Sequence, residues 1–223
     1  GRIERSRLAL LQSAITPPGD MLEIGPGTGS LAAGAIAAGW SYRAIEASAT
    51  LARELREKGL DVTEAWAPPI AADDASCAVV YADQVLEHMS GIDAAREFVA
   101  EALRALRPNG VCFIVVPDYL KERTFFWDVD YTHNFVTTER RVRQLLYDGG
   151  FEVEQVVRSI GDAPGLARAA LAAQPGRGGV GDRRRRPHGE LVTRHGPHRV
   201  RTRPRHADRR GRRLPGRGDD ELE

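Results

Sequence analysis

The stretch EIGPGTGS, residues 23–30, places three glycines between a short apolar segment and an alanine-rich one. Gly25 and Gly27 allow backbone conformations with positive φ and let a ligand approach the main chain closely. Gly29 lets a helix begin tight against the segment that precedes it. Glycine-rich turns between a strand and a helix bind nucleotide-containing ligands, so this stretch predicts such a site.

The residues around the glycines narrow the choice of ligand. The dinucleotide fingerprint G-x-G-x-x-G requires a glycine at position 30, where Ser30 stands, and a P-loop requires a lysine that this stretch does not contain. The remaining pattern, E-x-G-x-G-x-G, resembles motif I of the class I S-adenosylmethionine-dependent methyltransferases. That resemblance implies that the cofactor lies against the following residues: Glu23, Gly25, Pro26, Gly27, Thr28 and Gly29. A turn with a purely structural role is the alternative.

An acidic residue follows at the position that an adenosine site requires. Glu46 closes a second predicted strand, 21 residues after Gly25. A carboxylate at this place accepts hydrogen bonds from both ribose hydroxyls, in sites for NAD and for S-adenosylmethionine alike. We therefore assign Glu46 and its neighbour Ala47 to the cofactor site. Neither residue distinguishes a site for NAD from one for S-adenosylmethionine. A solvated carboxylate at the end of a strand is the other interpretation.

The segment TEAWAPPI, residues 63–70, resembles the part of these methyltransferases in which an acid meets the adenine amino group. The resemblance implies that Glu64 takes the place of that acid, with Ala65 beside it. The family usually has Asp directly before this Ala, so the match is inexact. Trp66 either covers the adenine face or packs against the protein.

The segment DQVLEHM, residues 83–89, resembles the family's segment after the fourth strand. The resemblance implies that Asp83 and Gln84 border the methionine end of the cofactor. Because dehydrogenases have no such requirement, this segment favours a methyltransferase over a nicotinamide-dependent enzyme. His88 is a candidate general base, with an orienting or structural hydrogen bond as the alternative.

Residues 118–140 form a long connection that is rich in aromatic residues. In an open α/β sheet this connection lies at the carboxyl edge, where ligands bind. Its D-Y-T-H run, followed by Phe135, resembles an insertion in methyltransferases of sugar and cell-surface polysaccharide pathways. The resemblance implies an acceptor-binding lid in which His133 is the general base and Tyr131 its companion. An aromatic mini-core with a hydrogen-bonded His133 is the alternative.

The same connection contains groups that suit a divalent ion, because Asp128, Asp130 and His133 offer carboxylate and imidazole ligands. Local turn chemistry accounts for these residues as well. We predict no metal site.

These residues need a scaffold, and the first 158 residues read as alternating strands and helices. Strands are predicted at 21–24, 41–47, 60–65, 77–83, 111–116 and 151–157, and helices at 3–15, 30–38, 48–59, 92–107 and after Thr137 or Thr138. Strands separated by helices pair in parallel through right-handed crossovers. The fold class is therefore α/β, with a Rossmann-like, doubly wound and mostly parallel sheet.

The end of this sheet departs from the family pattern. Class I methyltransferases normally add a seventh, antiparallel strand between the fifth and the sixth. No segment after Val157 has the expected pattern, and ELVTR and HRVRT are only faint candidates. We expect the last antiparallel strand to be missing, and the sheet to be incomplete or marginally stable.

The charge divides the chain into two parts. Residues 1–163 carry 16 Lys and Arg against 24 Asp and Glu, while residues 164–223 carry 16 Arg against 7 acidic residues. The second part is rich in Arg, Gly and Pro and has no apolar periodicity, which predicts disorder or a segment read out of frame. We therefore divide the chain into a methyltransferase domain, 1–163, and a tail, 164–223. A functional basic arm is the alternative.

The remaining composition excludes several classes. Cys77 and Cys112 lie in apolar segments away from other cysteines, which predicts two buried, reduced thiols in a cytoplasmic protein. No apolar run reaches the roughly 18 residues that a membrane helix needs, so we expect no membrane partner. The tail contains neither lysine nor aromatic residues, so we expect no nucleic-acid partner either.

These observations predict S-adenosylmethionine-dependent methyl transfer to a small-molecule acceptor, on a hydroxyl of a sugar-like compound or a secondary metabolite. Three other functions stay open: an NAD-type oxidoreductase, a nucleic-acid methyltransferase that uses the basic tail, and a non-catalytic or truncated relative. The acceptor and the oligomeric state do not follow from the sequence.

Overall fold

The computed structural model of the chain describes residues 2–160, 167–172 and 193–194. The helices are α1 (Arg2–Ala14), α2 (Ala32–Ala37), α3 (Ala49–Glu57), α4 (Ile92–Ala105), α5 (Tyr119–Glu122), α6 (Phe125–Asp128) and α7 (Glu139–Asp148), with a 3-10 helix at Leu86–His88. The strands are β1 (Gly19–Ile24), β2 (Trp40–Glu46), β3 (Val62–Glu64), β4 (Cys77–Asp83), β5 (Leu106–Pro117), β6 (Glu152–Val153), β7 (Gln155–Ile160), β8 (Ala167–Ala172) and β9 (Thr193–Arg194).

The main path of the sheet has the order β3-β2-β1-β4-β5-β8-β7, and the first five strands pair in parallel. This arrangement confirms the predicted α/β, Rossmann-like class. In the register of β1, Ile24 lies opposite Ile45 on one side and Ala82 on the other. The carboxyl ends of the three strands therefore meet at one edge of the sheet, where α/β proteins bind ligands.

The prediction of a missing antiparallel strand is wrong. β8 lies between β5 and β7 and pairs antiparallel with both. Its sequence, ARAALA, contains no β-branched or aromatic residue, so local propensity gives no strand signal. Hydrogen bonding to the open edge of β5 outweighs that weak local preference, and the sheet has its seventh strand.

Two smaller differences occur in the same region. The strand predicted at 151–157 is divided into β6 and β7 by a break at Glu154. β9 lies inside the faint candidate ELVTR and pairs antiparallel with both β5 and β6. β8 and β9 both lie on the tail side of the boundary predicted at residue 163, whereas the other residues of 164–223 fall outside the described part of the chain. The division into domain and tail therefore stays a prediction.

Two layers of apolar side chains cover the two faces of the sheet, because successive strand residues point to opposite sides. On one face, α1 and α2 pack on residues such as Tyr81 and Phe113, whose rings stack with centroids 4.9 Å apart. On the other face, α4 and α7 cover the alternate positions of β4 and β5. Cys77 and Cys112 are free and buried in this second layer, as predicted.

Among the described residues, no helix has the length and apolar character needed to cross a bilayer.

The contact between α4 and the end of α7 leaves no room for a side chain at Gly149. A Cβ atom there would lie 2.3 Å from Cγ1 of Val99. We expect Gly149→Ala to lower the free energy of unfolding by about 1–3 kcal/mol, the usual cost of overpacking. Urea denaturation followed by circular dichroism measures the change.

Gly34→Ala is the matched control. Its Cβ would lie 3.4 Å from Leu8, an ordinary contact, inside α2. Because alanine favours a helix over glycine by about 1 kcal/mol, this variant should be as stable as the wild type or more so. Equal losses in the two variants would contradict the packing argument.

Candidate functional site

The glycine turn has the backbone conformation that the sequence predicted. Gly25, Gly27 and Gly29 have φ values of 67°, 56° and 78°, which side chains rarely allow. A Cβ at Gly25 would lie 2.9 Å from Val85, and one at Gly29 would lie 2.7 Å from Leu55. A Cβ at Gly27 would meet no described atom within 4 Å, so the main chain there faces open space.

Glu46 ties this turn to the next helix. Its carboxylate accepts a hydrogen bond from the Gly27 N–H at 3.3 Å and another from the Ser48 N–H at 2.8 Å. Ser48 in turn caps α3, where its side chain accepts from the N–H of Leu51. The buried carboxylate is therefore held by two main-chain donors at the end of β2.

A cavity of about 560 Å3, here called the edge cavity, lies at the carboxyl edge of the sheet. Four predicted cofactor residues line it: Gly25, Glu46, Ala47 and Ala65. Its wall continues through the loop after β3 and reaches the segment after β4 and the first turns of α4, where the lining is His88, Met89, Ser90, Ala94 and Glu97. Trp66, whose surface is 77% exposed, stands at its rim.

The structure separates two residues that the sequence placed together. Ala65 donates its N–H to the carbonyl of Glu46 and lines the edge cavity. Glu64 lies outside the described lining and faces α3, where its carboxylate is 3.7 Å from Arg56. Thr28, also predicted at the cofactor, is exposed, and its carbonyl accepts from Lys58.

A buried polar cluster lies beneath the glycine turn. Glu23 accepts a hydrogen bond from the hydroxyl of Tyr42 at 2.5 Å. Arg7, from α1, forms an ion pair with Asp83 at the end of β4, and both side chains are largely buried. Burial raises the pKa of Glu23 to about 7; the bond from Tyr42 opposes this effect and the charge of Asp83 adds to it. Neither Glu23 nor Asp83 belongs to the described lining of the edge cavity.

Gln84, the other residue predicted at the methionine end, has φ of 57° and donates its N–H to the carbonyl of Val115. This left-handed conformation ends β4 abruptly and turns the chain into the 3-10 helix. Gln84 thus shapes the segment that carries His88, although it lies outside the described cavity lining.

His88 is oriented by the lid. Its Nδ1 is 2.8 Å from the hydroxyl oxygen of Thr132, and that hydroxyl donates to Asp130 at 2.7 Å. Since the hydroxyl proton is used towards Asp130, the ring Nδ1–H donates to Thr132 and Nε2 keeps its lone pair. Burial, and then the neighbouring His133, lower the pKa of His88, while Asp130 opposes them.

His133 lies behind His88 and does not line the edge cavity within the described residues. The two rings meet edge to face with centroids 4.9 Å apart. Nδ1 of His133 is 2.6 Å from the carbonyl of Phe126, to which it donates, and the ring also packs on Phe126. Tyr131, its predicted companion, is 95% exposed, whereas His133 is buried.

Residues 118–140 contain an aromatic cluster and a local turn, the features of the two alternative interpretations of this connection. Tyr119, Phe126 and Trp127 form an aromatic cluster with edge-to-face contacts. Asp130 accepts from the N–H and the hydroxyl of Thr132, which is the local turn chemistry expected there. The helix after the lid begins with Thr138 as its cap, one of the two predicted.

Sequence reasoning missed three residues of this region: Arg7, Tyr42 and Glu87. Glu87 is fully buried, and its carbonyl accepts from the N–H groups of Asn134 and Phe135, which attaches the lid to the 3-10 helix. Its position next to His88 in the quoted DQVLEHM segment was an available signal. Arg7 and Tyr42 gave none, because their partners Asp83 and Glu23 are distant in sequence.

The family described as a methyltransferase domain matches residues 2–156. No curated protein matches the sequence.

Three solved structures with the same fold share 12–17% of their residues with this chain. An S-adenosylmethionine-dependent methyltransferase from Methanosarcina mazei has a TM-score of 0.64 at 12% identity, over 84% of this chain and 97% of its own. The 1,6-didemethyltoxoflavin-N1-methyltransferase of Burkholderia thailandensis, solved with that compound and S-adenosylhomocysteine bound, has a TM-score of 0.63 at 17% identity, over 87% and 78%. The cyclase SpnF has a TM-score of 0.65 at 15% identity, over 86% and 80%.

The buried carboxyl of Glu23 should make the free energy of unfolding depend on pH. Its pKa rises from 4.5 to about 7 on folding, so the folded state holds the proton more tightly, and this contribution to stability is lost as the pH rises from 4.5 through 7. The shift corresponds to about 3 kcal/mol. We expect Glu23→Gln, which has no such proton to lose, to gain stability relative to the wild type between pH 4.5 and pH 8, by up to this amount.

Urea denaturation at several pH values without added cofactor measures the difference between the two proteins. Glu54→Gln, an exposed carboxylate on α3, is the control and should show no comparable trend. A difference between Glu23→Gln and the wild type that stays constant with pH would show that folding does not raise the pKa of Glu23.

Proposed function

Because the chain belongs to the methyltransferase domain family and has the class I fold, we propose that it binds S-adenosylmethionine in the edge cavity and transfers the methyl group to a hydroxyl of a small molecule. The observation that carries this proposal is the buried carboxylate of Glu46 beside Gly27, at the end of β2. It provides an acceptor for ribose hydroxyls at the place where a glycine leaves space for the ligand.

The described residues fit this cofactor. A volume of about 560 Å3 lies within the range of small-molecule sites. The main chain at Gly27 faces open space, and a side chain at this position would occupy that space. Trp66 and Ala65 offer an apolar border for an adenine ring beyond Glu46. Gly25, Glu46, Ala47 and Ala65 would therefore hold the adenosine part.

The cofactor supplies a methyl group that is already activated by its sulfonium centre. The chain's own task is to hold the acceptor in line with that group and to exclude water. The lid is attached to the 3-10 helix through the carbonyl of Glu87, next to His88 in the cavity wall. An acceptor hydroxyl must also lose its proton, and the His88–His133 pair is where the described residues can assist that loss.

The acceptor class is inferred from the far end of the edge cavity. His88, Ser90 and Glu97 give this end hydrogen-bonding groups, while Met89 and Ala94 give it apolar contacts. A small polar compound with hydroxyl groups matches that mixture. The N1-methyltransferase from Burkholderia thailandensis, solved with 1,6-didemethyltoxoflavin bound, offers a precedent for a small-molecule ligand on this fold.

The other functions considered at the outset lead to different measurements. An NAD-type oxidoreductase would bind NAD, which Ser30 disfavours at the turn. A nucleic-acid methyltransferase would depend on residues 164–223, which fall largely outside the described part of the chain. A non-catalytic relative would bind S-adenosylmethionine without turnover; a cyclase of the same fold shows that the fold alone does not determine the reaction.

Binding is tested by titration calorimetry of the full chain with S-adenosylmethionine, S-adenosylhomocysteine and NAD. We expect both sulfur compounds to bind and NAD not to. Gly27→Val should weaken binding at least 100-fold. A β-branched residue is strained at φ of 56°, and its methyl groups would occupy the open space beside the main chain at this position. Glu46→Gln should weaken it by about 10–100-fold through the loss of a charged hydrogen-bond acceptor.

The matched control is Glu57→Gln, which removes an exposed carboxylate on α3 and should bind as the wild type does. Circular dichroism verifies the fold of each variant. Absence of S-adenosylmethionine binding in a folded wild-type chain would refute the proposal.

His88→Asn tests the acceptor end of the cavity separately from the cofactor end. We expect the rate of S-adenosylhomocysteine formation with hydroxylated acceptors to fall by about 10²–10⁴-fold, with unchanged affinity for S-adenosylmethionine. A panel of sugars, phenols and amines supplies the acceptors, and Glu57→Gln again serves as the control. An unchanged turnover rate in His88→Asn would show that His88 does not take part in the reaction.

A further inference from the structure

We propose that Glu87, His88 and His133 bind a divalent transition-metal ion of the zinc class at the border of the edge cavity. The three side chains come from two segments, the 3-10 helix after β4 and the lid. One ligand atom from each lies within 4.8 Å of the others. Two imidazoles and a carboxylate form a donor set that zinc, cobalt and iron accept in proteins.

The distances require only a small adjustment. Ligand atoms around a tetrahedral zinc ion lie about 2.0–2.2 Å from the metal, and therefore roughly 3.5 Å from one another. A spread of up to 4.8 Å exceeds this value by roughly 1 Å, so the side chains would close on the ion when it binds. The edge-to-face arrangement of the two rings already places them side by side without stacking.

The hydrogen bond behind His133 is the one expected of a metal ligand, and His88 reaches a carboxylate through one hydroxyl. Each ring uses Nδ1 as a donor, His133 to the carbonyl of Phe126 and His88 to Thr132, which is held by Asp130. Metal-binding histidines almost always donate their other ring N–H to a carbonyl or carboxylate, which sets the tautomer and the ring orientation. In both residues Nε2 keeps the lone pair that a metal needs.

The position of the cluster points to a catalytic site rather than a structural one. Glu87 and His133 are buried, whereas His88 is partly exposed and lines the edge cavity. Three protein ligands with one side open to a cavity are typical of catalytic zinc sites. An acceptor oxygen entering from the cavity can take the open position.

The role in the reaction rests on the proposed function. A divalent ion lowers the pKa of a hydroxyl that reaches it, so the hydroxyl releases its proton to solvent. The oxygen then forms a bond to the methyl carbon as the carbon–sulfur bond breaks, and the bonding electrons remain on sulfur. The products are the methyl ether, S-adenosylhomocysteine and one proton. In this form the two histidines hold the ion and do not themselves take the proton.

Metal binding is tested directly with Co²⁺ on the untagged full chain after treatment with EDTA and dialysis. We expect one equivalent to bind and to give the intense visible absorption of a four- or five-coordinate ion. Zn²⁺ should displace it. Activity with a hydroxylated acceptor should be lost after EDTA and restored by the metal.

Variants assign the ion to this cluster. His88→Asn, His133→Asn and Glu87→Gln should weaken Co²⁺ binding more than 100-fold. Thr132→Val leaves all three ligands in place but removes the hydroxyl that joins His88 to Asp130, and should weaken binding by about 10–100-fold. His206→Asn is the matched control, because the chain has four further histidines at positions 188, 195, 198 and 206. The Thr132→Val comparison remains informative if a ligand variant does not fold.

Two outcomes would overturn the inference: no stoichiometric Co²⁺ binding, or binding that His88→Asn and His133→Asn leave unchanged while His206→Asn weakens it. Calorimetry with S-adenosylmethionine on the same samples keeps the two proposals apart. Cofactor binding without metal binding would refute only the proposed metal site. Metal binding without cofactor binding would refute only the proposed methyltransferase function.

Discussion

The carboxylate of Glu46 is the contact on which the geometry of the site depends. It joins the glycine turn after β1 to the start of α3 through the N–H groups of Gly27 and Ser48. Both donors belong to chain ends that have no partner within their own strand or helix, so a buried acceptor between them satisfies them together. The parallel register of β1 and β2 brings the carboxylate to that position, because it aligns Ile24 with Ile45.

The second half of the site is organised by the chain after β4. The left-handed Gln84 ends the strand, and the 3-10 helix that follows presents Glu87 and His88 to the lid. Two N–H groups of the lid donate hydrogen bonds to the carbonyl of Glu87, and the hydroxyl of Thr132 in the lid bonds to the ring of His88. Because these bonds join segments about 45 residues apart, a change in the lid alters the orientation of His88, and the aromatic cluster around Phe126 supports that orientation from behind.

The far end of the sheet shows how a weak sequence signal can accompany a regular fold. β8 is formed largely of alanine, yet it pairs with the buried second half of β5 and with β7. The free hydrogen-bonding edge of β5 provides partners for the main-chain groups that face it from an added strand, irrespective of that strand's side chains. β8 lies between β5 and β7 in the main path of the sheet, the place where an added antiparallel strand was expected to be missing.

The sequence by itself determined the elements whose signal is local. Buried strands such as β4 and the glycine turn follow from apolar runs and from residues that tolerate positive φ, and Glu46 follows from its position at a strand end. Only the tertiary structure decided which groups meet across the chain: Arg7 with Asp83, Tyr42 with Glu23, and His133 behind His88 instead of at the cavity. These pairs have no spacing rule, because their separation depends on how strands and helices pack. The same reason explains β8, whose pairing is provided by its neighbours and is not encoded in its own residues.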